Sequence, residues 1–356
     1  MRLPARLTAS DSSRCSQLQI IRLNVEWELR RLRKIIDTFK RSGKEWNLDE
    51  VLQKFNPYVN KEYSVFHFMQ VQIQRKKQLG KIRSSETYQA TLNSFMNFRQ
   101  GIDLTFDMFD SELMELYEAE LRNRGVVRNT SSFYLRILRT NYKLAVEKGL
   151  TQDCRPFKRV YCGMDKTVKR CLSFGEIKKM KELDLSLKPA LDFARDMFIF
   201  SFCTRGMSFV DMAYLKKSDL KNGYLIYRRK KTGQLLTIEW TWQMQALIDK
   251  YKGNPTQYLL PLIVREDGTE RRQYQNQMMK INRGLKEIAS LMHLSVPLSL
   301  YYSRHSWATI ARGKSIPLSV ISEGLGHDSE LTTQIYLDSI KSVEVDRANR
   351  KILRDL

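Results

Sequence analysis

LGHDSELTTQIY, residues 325–336, reads as a helix stop followed at once by a helix start that carries a tyrosine. A glycine such as Gly326 takes the left-handed conformation that ends a helix, and His327 sits at the break. The Asp-Ser-Glu run supplies capping groups, so a new helix begins near Asp328 or Ser329 and carries Tyr336 about two turns in. Upstream, PLSVISEGLGH (317–327) predicts a helix closed by Gly326. LYYSRHSWATIARG (300–313) predicts another, with Trp307, Ala308 and Ala311 packing inward and Arg304 held on it. The stretch therefore collects a guanidinium, an imidazole and a phenol within a short span of chain.

A phenol titrates near pH 10, so at neutral pH it attacks only when a group takes its proton and the electrophile's charge is neutralised. A phosphodiester flanked by guanidinium and imidazole is such an electrophile, because those donors strengthen as charge develops on phosphorus. The leaving oxygen needs a proton, which a lysine ammonium can deliver. YLIYRRKKTGQLLTIEW (224–240) predicts a β-hairpin whose turn carries Lys230 and Lys231. No carboxylate cluster of metal-ligand spacing accompanies these residues, so fixed cations are expected to do the work without a metal or other cofactor.

The totals point the same way. The 356 residues allow two or three domains, and 42% hydrophobic and 10% aromatic residues are enough to bury real cores. Sixty-one Lys and Arg against 39 Asp and Glu leave a net charge of +22, an excess that calls for a polyanionic partner. Nucleic acid leads, with a membrane surface as the competitor. The densest basic runs, at 28–44, 74–83, 128–143 and 165–170, are spread through the chain. Each alone reads as a solvated helix face; together they fit a protein that wraps a long charged ligand.

Five cysteines, Cys15, Cys154, Cys162, Cys171 and Cys203, form neither a CxxC pair nor an even framework, which fits a reducing cytoplasm. No apolar core of signal-peptide length opens the sequence. The longest apolar stretch, ALDFARDMFIFSFC (190–203), carries Asp192, Arg195 and Asp196, so no membrane span is expected.

Five segments follow from the pattern. Residues 1–60 read as a basic helical region in which Asn47 or Asp49 opens a short helix. Residues 61–155 are helical throughout: Ser84 and Ser85 suit the cap of one helix, Asp110 that of the next, and Asn129 or Thr130 that of the third, with Gly101, Gly125 and Gly149 as stops. In the third helix Phe133, Ile137, Tyr142 and Ala145 face a core, while Arg136, Arg139 and Lys143 form a cationic stripe suited to DNA. Residues 156–170 are a basic linker with Arg170 among its cations. Residues 171–345 form a second domain opened by the Ser173–Glu176 capping box, with Leu191, Ala194, Phe198, Ile199 and Phe202 on one buried helix and Tyr274, Ile281, Leu285 and Ile288 on another. Residues 346–356 are a charged tail with Ala348 and Ile352 as apolar contacts.

Arg304, LGH at 325–327, Thr332-Thr333 and Tyr336, in that order and spacing, resemble the signature of the tyrosine recombinases, the phage-integrase family, over about residues 170–345. RGMSFVD (205–211) with YYSRHSWAT (301–309) resembles the Bacteroidetes-type integrases and invertases. The resemblance implies a mainly α fold with a small β-sheet: a helical, SAM-like core-binding domain plus a tyrosine-recombinase catalytic domain around duplex DNA. It implies cleavage by Tyr336 to a 3′-phosphotyrosyl link and a free 5′ hydroxyl, followed by rejoining, with no cofactor. Arg304 matches the second arginine of the family, His327 the histidine that donates to phosphate, and Lys231 the hairpin lysine proposed as general acid, with Lys230 its rival.

Two positions depart from the family pattern. Tyr301 stands where a histidine is usual, and Ser208 stands where the first arginine belongs, three residues before Asp211. Arg205, about one helical turn before Ser208 if the segment is helical, is the candidate replacement. The implied partners are double-stranded DNA with specific sites, a homo-tetramer on that DNA, and accessory DNA-bending proteins, with the tail at 346–356 docking on a neighbour. Taken singly, His327 reads as a helix cap, Tyr336 as a buried tyrosine, Arg304 as a partner of Glu323 or Asp328, and His305 as structural. The alternatives to a DNA integrase, excisionase or invertase are a DNA-binding regulator that kept the fold and lost the chemistry, and a type IB topoisomerase.

Overall fold

The computed structural model describes residues 12–43, 45–55, 64–165, 171–327 and 329–337. The chain divides into two compact units, Met1–Lys166 and Thr167–Leu356. Both are dominated by helices, and among the described residues one three-stranded antiparallel sheet is present.

In the first unit, α1 (Ser12–Ser42) and α2 (Leu48–Phe55) precede four helices that share one core: α3 (Val65–Gln78), α4 (Ile82–Phe98), α5 (Ser111–Asn123) and α6 (Arg128–Glu147). Asn47 opens α2 by accepting the Glu50 N–H at 2.9 Å. Asp110 opens α5 by accepting the Leu113 N–H at 2.8 Å. The core is aromatic: Phe95 meets Tyr117 edge-on at 5.2 Å and Phe109 stacks on Tyr142 at 5.9 Å. Ile137, Tyr142 and Ala145 are buried as the periodicity requires, and Phe133 packs at the margin.

Two expected caps differ. Helix α4 starts at Ile82 with Lys81 in the cap position, so Ser84 and Ser85 lie within its first turn, where the Ser85 hydroxyl donates back to the Ile82 carbonyl at 2.7 Å. Helix α6 starts at Arg128, and Val127 occupies its cap position without a side-chain bond. Asn129 is not a cap because its amide is used elsewhere: it accepts from the Asp165 N–H at 2.8 Å and donates to the Asp165 carbonyl at 3.1 Å. Residues 156–165 thus fold back onto the first unit, with Val160 in its core and the Ser132 hydroxyl donating to the Gly163 carbonyl.

In the second unit the capping box is formed, with Glu176 accepting the Ser173 N–H at 2.6 Å, and it opens α7 (Phe174–Glu182). Helix α8 (Pro189–Cys203) is the buried centre; Ala194, Met197, Phe198 and Phe200 are all fully enclosed. The charges in this apolar run are paired: Arg195 Nε donates to Asp196 at 2.9 Å, and Lys250 Nζ and the Tyr251 hydroxyl each donate to Asp196 at 2.7 Å. Desolvation and the neighbouring carboxylate push the Tyr251 phenol well above its ordinary range.

After α8 come α9 (Phe209–Ala213), β1 (Leu220–Lys221), β2 (Tyr224–Arg228), β3 (Leu235–Glu239), α10 (Trp242–Lys250) and α11 (Glu270–Leu291). The hairpin pairs Leu225 with Ile238 and Tyr227 with Leu236, which puts these four on the core face. Ile281, Leu285 and Ile288 bury one face of α11 against the same core. Three helices follow among the described residues: α12 (Tyr301–Gly313), α13 (Leu318–Leu325) and α14 (Glu330–Leu337). Ala308 and Ala311 of α12 pack with Ile321 and Leu325 of α13 as a separate small cluster, closed by Trp307. That packing seats Leu325, the last residue of α13, on α12.

Candidate active site

Helix α13 ends in a closed turn. Gly326 has φ +63°, its N–H bonds the Glu323 carbonyl at 2.8 Å, and the His327 N–H bonds the Ser322 carbonyl at 3.0 Å. This paired closure is the helix stop that the glycine predicts. It turns the chain so that the His327 ring meets Arg304, whose Nη2 lies 3.2 Å from His327 Nε2. The other ring nitrogen, Nδ1, lies 2.7 Å from the Thr333 hydroxyl on α14.

Arg304 is 5% exposed, and its guanidinium is held by carbonyls from two directions. Nη1 donates to the Gly206 carbonyl at 2.9 Å, and Nη2 donates to the Leu325 carbonyl. A buried charge is tolerable only with such bonds. Gly206 has φ +70°, and a Cβ there would fall 2.5 Å from Arg304 Cα, so the α8–α9 turn can approach α12 only at a glycine.

The same turn carries Arg205, and the segment from it to Ser208 is not helical. Helix α8 ends at Cys203, Arg205 has φ +60°, and Ser208 begins α9 as its N-cap, so the two are not one helical turn apart. Ser208 is occupied with capping: its hydroxyl accepts from the Asp211 N–H and donates to Asp211 Oδ2 at 2.6 Å. Arg205 extends along α13, its Cδ 3.7 Å from the position a Cβ on Gly324 would take.

A guanidinium that the sequence reading passed over is in the site. Arg229 follows β2, is buried, and donates through Nη1 to the Gly326 carbonyl, the residue before His327. Its Nε lies 3.9 Å from Asp211 Oδ2. Asp211 also accepts the Lys230 N–H at 2.8 Å, so one buried carboxylate ties the start of α9 to the root of the hairpin turn. The signal was present in the alternation: Leu225, Tyr227 and Arg229 continue the period of two that points into the core. Burial pushes the Tyr227 phenol far up, helped by the Asp211 charge, and Arg229, Arg304 and Arg205 all oppose that shift. All three guanidinium groups therefore bear on one neighbourhood.

The hairpin lysines separate. Lys230 sets its ammonium 4.6 Å from the centre of the Tyr214 ring. Lys231 stands exposed in the turn and makes no hydrogen bond or ion pair among the described residues. Tyr301, 55% exposed, begins α12 and meets His305 edge-on at 4.9 Å. It borders a cavity of about 160 Å³ that Ser208, Asn282 and Arg304 also line. Tyr336 lies on α14, one residue before its end; its side chain is outside the described residues.

Of the expected DNA contacts, Arg136, Arg139 and Lys143 lie on α6 in the first unit. Arg136 and Arg139 are half-buried and Lys143 is exposed. Arg170 falls outside the described residues, as does the tail at 346–356. Among the described residues no three His, Cys, Asp or Glu side chains gather to hold a metal ion, and no helix is long and apolar enough to cross a membrane.

Several solved structures share this fold. A lambda integrase dimer bound to a COC′ core site aligns with a TM-score of 0.61 at 16% identity, covering 86% of this chain and 84% of that one. A lambda integrase tetramer bound to a Holliday junction gives 0.60 at 15% identity, over 86% and 87%. A Tn1549 transposon integrase in complex with transposon right-end DNA gives 0.58 at 14% identity, over 82% and 99%. The fold is thus the tyrosine-recombinase fold. Residues 64–160 match the family model of the phage integrase SAM-like domain, which places that domain on α3 to α6 and the stretch folded back on them. A comparison with curated proteins found no match.

Proposed function

We propose that the protein is a tyrosine-type site-specific DNA recombinase that cuts and rejoins DNA through a 3′-phosphotyrosyl intermediate. The observation that carries this reading is the part-buried Arg304–His327–Thr333 chain, 3.2 and 2.7 Å between partners, which ends on the helix that bears Tyr336. Tyr336 is the nucleophile, and Arg304 holds the scissile phosphate oxygens beside His327. Arg229, buried next to Arg304's partners, supplies the guanidinium that Ser208 cannot, with Arg205 contributing from the α8–α9 turn. Lys231, exposed in the hairpin turn while Lys230 rests on Tyr214, is the general acid. Tyr301, which borders the cavity lined by Arg304, is an accessory donor to the phosphate. Fixed cations neutralise the phosphate, so no metal is needed.

The partner is duplex DNA, gripped through phosphate contacts that include Arg136, Arg139, Lys143 and Arg170. The relatives seen as a dimer on a core site and a tetramer on a Holliday junction support assembly as a homo-tetramer on paired sites, assisted by accessory DNA-bending proteins. The reaction is integration, excision or inversion of a Bacteroidetes-type mobile or invertible segment, in the cytoplasm. A nicked suicide substrate tests the core of this: wild type should form a covalent protein–DNA adduct and Tyr336→Phe none. Absence of adduct from wild type would leave a DNA-binding regulator. Relaxation of a plasmid that lacks paired sites would instead indicate a topoisomerase.

A further inference from the structure

The His327 ring is held from both sides, and the two contacts fix where its proton sits. Arg304 Nη2 lies 3.2 Å from Nε2. A guanidinium has donors and no acceptor, so Nε2 must offer its lone pair. An imidazole with a bare Nε2 carries its hydrogen on Nδ1, and the Thr333 oxygen at 2.7 Å is there to accept it. Thr333 is 0% exposed, so water does not compete for that bond. Thr333 stands three residues before Tyr336 on α14.

We infer that Thr333 is a positioning residue that, together with Arg304, holds His327 in the Nδ1–H tautomer, and that Nε2 is thereby the acceptor of the Tyr336 proton during strand cleavage. The second half rests on the recombinase reading; the first half does not. The step balances. The bond from the tyrosine oxygen to phosphorus forms as the bond from phosphorus to the 5′ oxygen breaks. When Arg304 turns its Nη2–H from Nε2 to the scissile phosphate, the Nε2 lone pair is released; the phenolic proton passes to it, and the 5′ oxygen takes a proton from Lys231. His327 is then an imidazolium whose Nδ1–H remains on Thr333 and whose new Nε2–H donates to the phosphate beside Arg304. Rejoining runs the transfers backward. The family resemblance casts this histidine as a donor; here it becomes one only after it has accepted.

The assignment also answers the departure at position 301. A phenol is a poor proton acceptor at neutral pH, so Tyr301 does not replace the acid–base histidine usual there. His327 takes that role, and the helix that presents the nucleophile also sets the state of its base. A shift of α14 changes both together.

The chain has four histidines, so ring 15N spectra can be assigned with His327→Gln as the blank. On the free protein above pH ~7.5, where an ordinary imidazole is neutral, wild type and Thr333→Ser should show His327 protonated at Nδ1 and bare at Nε2. Thr333→Val leaves the Nδ1–H without an acceptor, which opposes the Arg304 contact on Nε2, and should weaken that preference. In the suicide-substrate assay Thr333→Val should form adduct at least about 100-fold more slowly, the scale of lost acid–base catalysis. DNA affinity should be unchanged, and Thr333→Ser should stay within about threefold of wild type. Wild-type His327 protonated at Nε2, or an unaltered tautomer in Thr333→Val, overturns the inference whatever the enzyme does. The tautomer result without any wild-type adduct would remove the recombinase reading and leave the Thr333 latch standing. A correct tautomer with a Thr333→Val protein that cleaves at the wild-type rate would overturn the proton-acceptor role.

Discussion

Arg304 and Gly206 fit each other so closely that a single added carbon would part them. Arg304 donates to the Gly206 carbonyl at 2.9 Å, while the Cβ that Gly206 lacks would sit 2.5 Å from Arg304 Cα. The obstructing atom is backbone of α12, which cannot swing aside as a long side chain can. Gly206→Ala therefore combines a left-handed backbone with an overpacked contact, a cost of at least about 2 kcal/mol. The melting temperature of this unit should fall by roughly 4–8 °C, and adduct formation should be lost even where the protein stays folded. Calorimetry together with the suicide-substrate assay checks both. An alanine variant with wild-type stability would mean that α8 and α12 do not meet as described.

Two arginines compete for the place of the missing first arginine. Arg229 is buried between Asp211 and the Gly326 carbonyl, whereas Arg205 lies in a turn at the edge of α13. Lysine keeps the charge and loses the fork, so it separates geometry from electrostatics. Arg229→Lys should reduce the cleavage rate at least about 100-fold and disturb His327 through Gly326. Arg205→Lys should cost roughly tenfold or less. Single-turnover cleavage rates rank the two, and the reverse order would return the role to Arg205.

Much of this arrangement was legible in the sequence, and the rest was not for definite reasons. The Gly326 stop, the Asp110 cap, the Ser173–Glu176 box and the hairpin are written in local chemistry, where a residue's own backbone preference or a partner a few positions away decides the outcome. Asn129 misled because an amide that suits a cap can be claimed by a distant loop, and Asp165 is 36 positions away. Where Arg205 sits relative to Ser208 was not legible, because the helical condition on that spacing fails: the chain turns there through two positive-φ residues. Arg229 was hidden by its company: in a run of four basic residues, only the strand alternation distinguishes the one that points inward.

The division between the two hairpin lysines predicts which is the proton donor. Lys230 has its ammonium on the Tyr214 ring and its N–H on Asp211, so replacing it with alanine should perturb the hairpin and reduce cleavage modestly. Lys231→Ala should remove the general acid and reduce cleavage by about 100-fold or more. A substrate with a bridging 5′ sulfur separates the two effects, because a thiolate leaves without being protonated. That substrate should restore Lys231→Ala close to the wild-type rate and leave the Lys230→Ala defect in place. Rescue of Lys230→Ala alone would exchange the assignments.

The N-terminal helix offers a prediction on pH. Arg30 of α1 donates to Glu112 of α5 at 2.7 Å, and that bond holds the Glu112 carboxyl below the usual glutamate range. A carboxylate whose folded pKa is depressed adds stability above its unfolded value, and that contribution disappears as pH falls through the folded value. The attachment of α1 to α5 should therefore be intact at pH 6 and loosen below about pH 4.3, the ordinary glutamate value. Both side chains are about half exposed, so salt should weaken the attachment as well. Hydrogen exchange of the α1 amides reads this directly: exchange corrected for its intrinsic pH dependence should quicken in acid and in high salt. Glu112→Gln should show the faster exchange already at pH 6, with no further change on acidification. If Glu112→Gln instead retains the acid response of wild type, another carboxylate holds the helix in place.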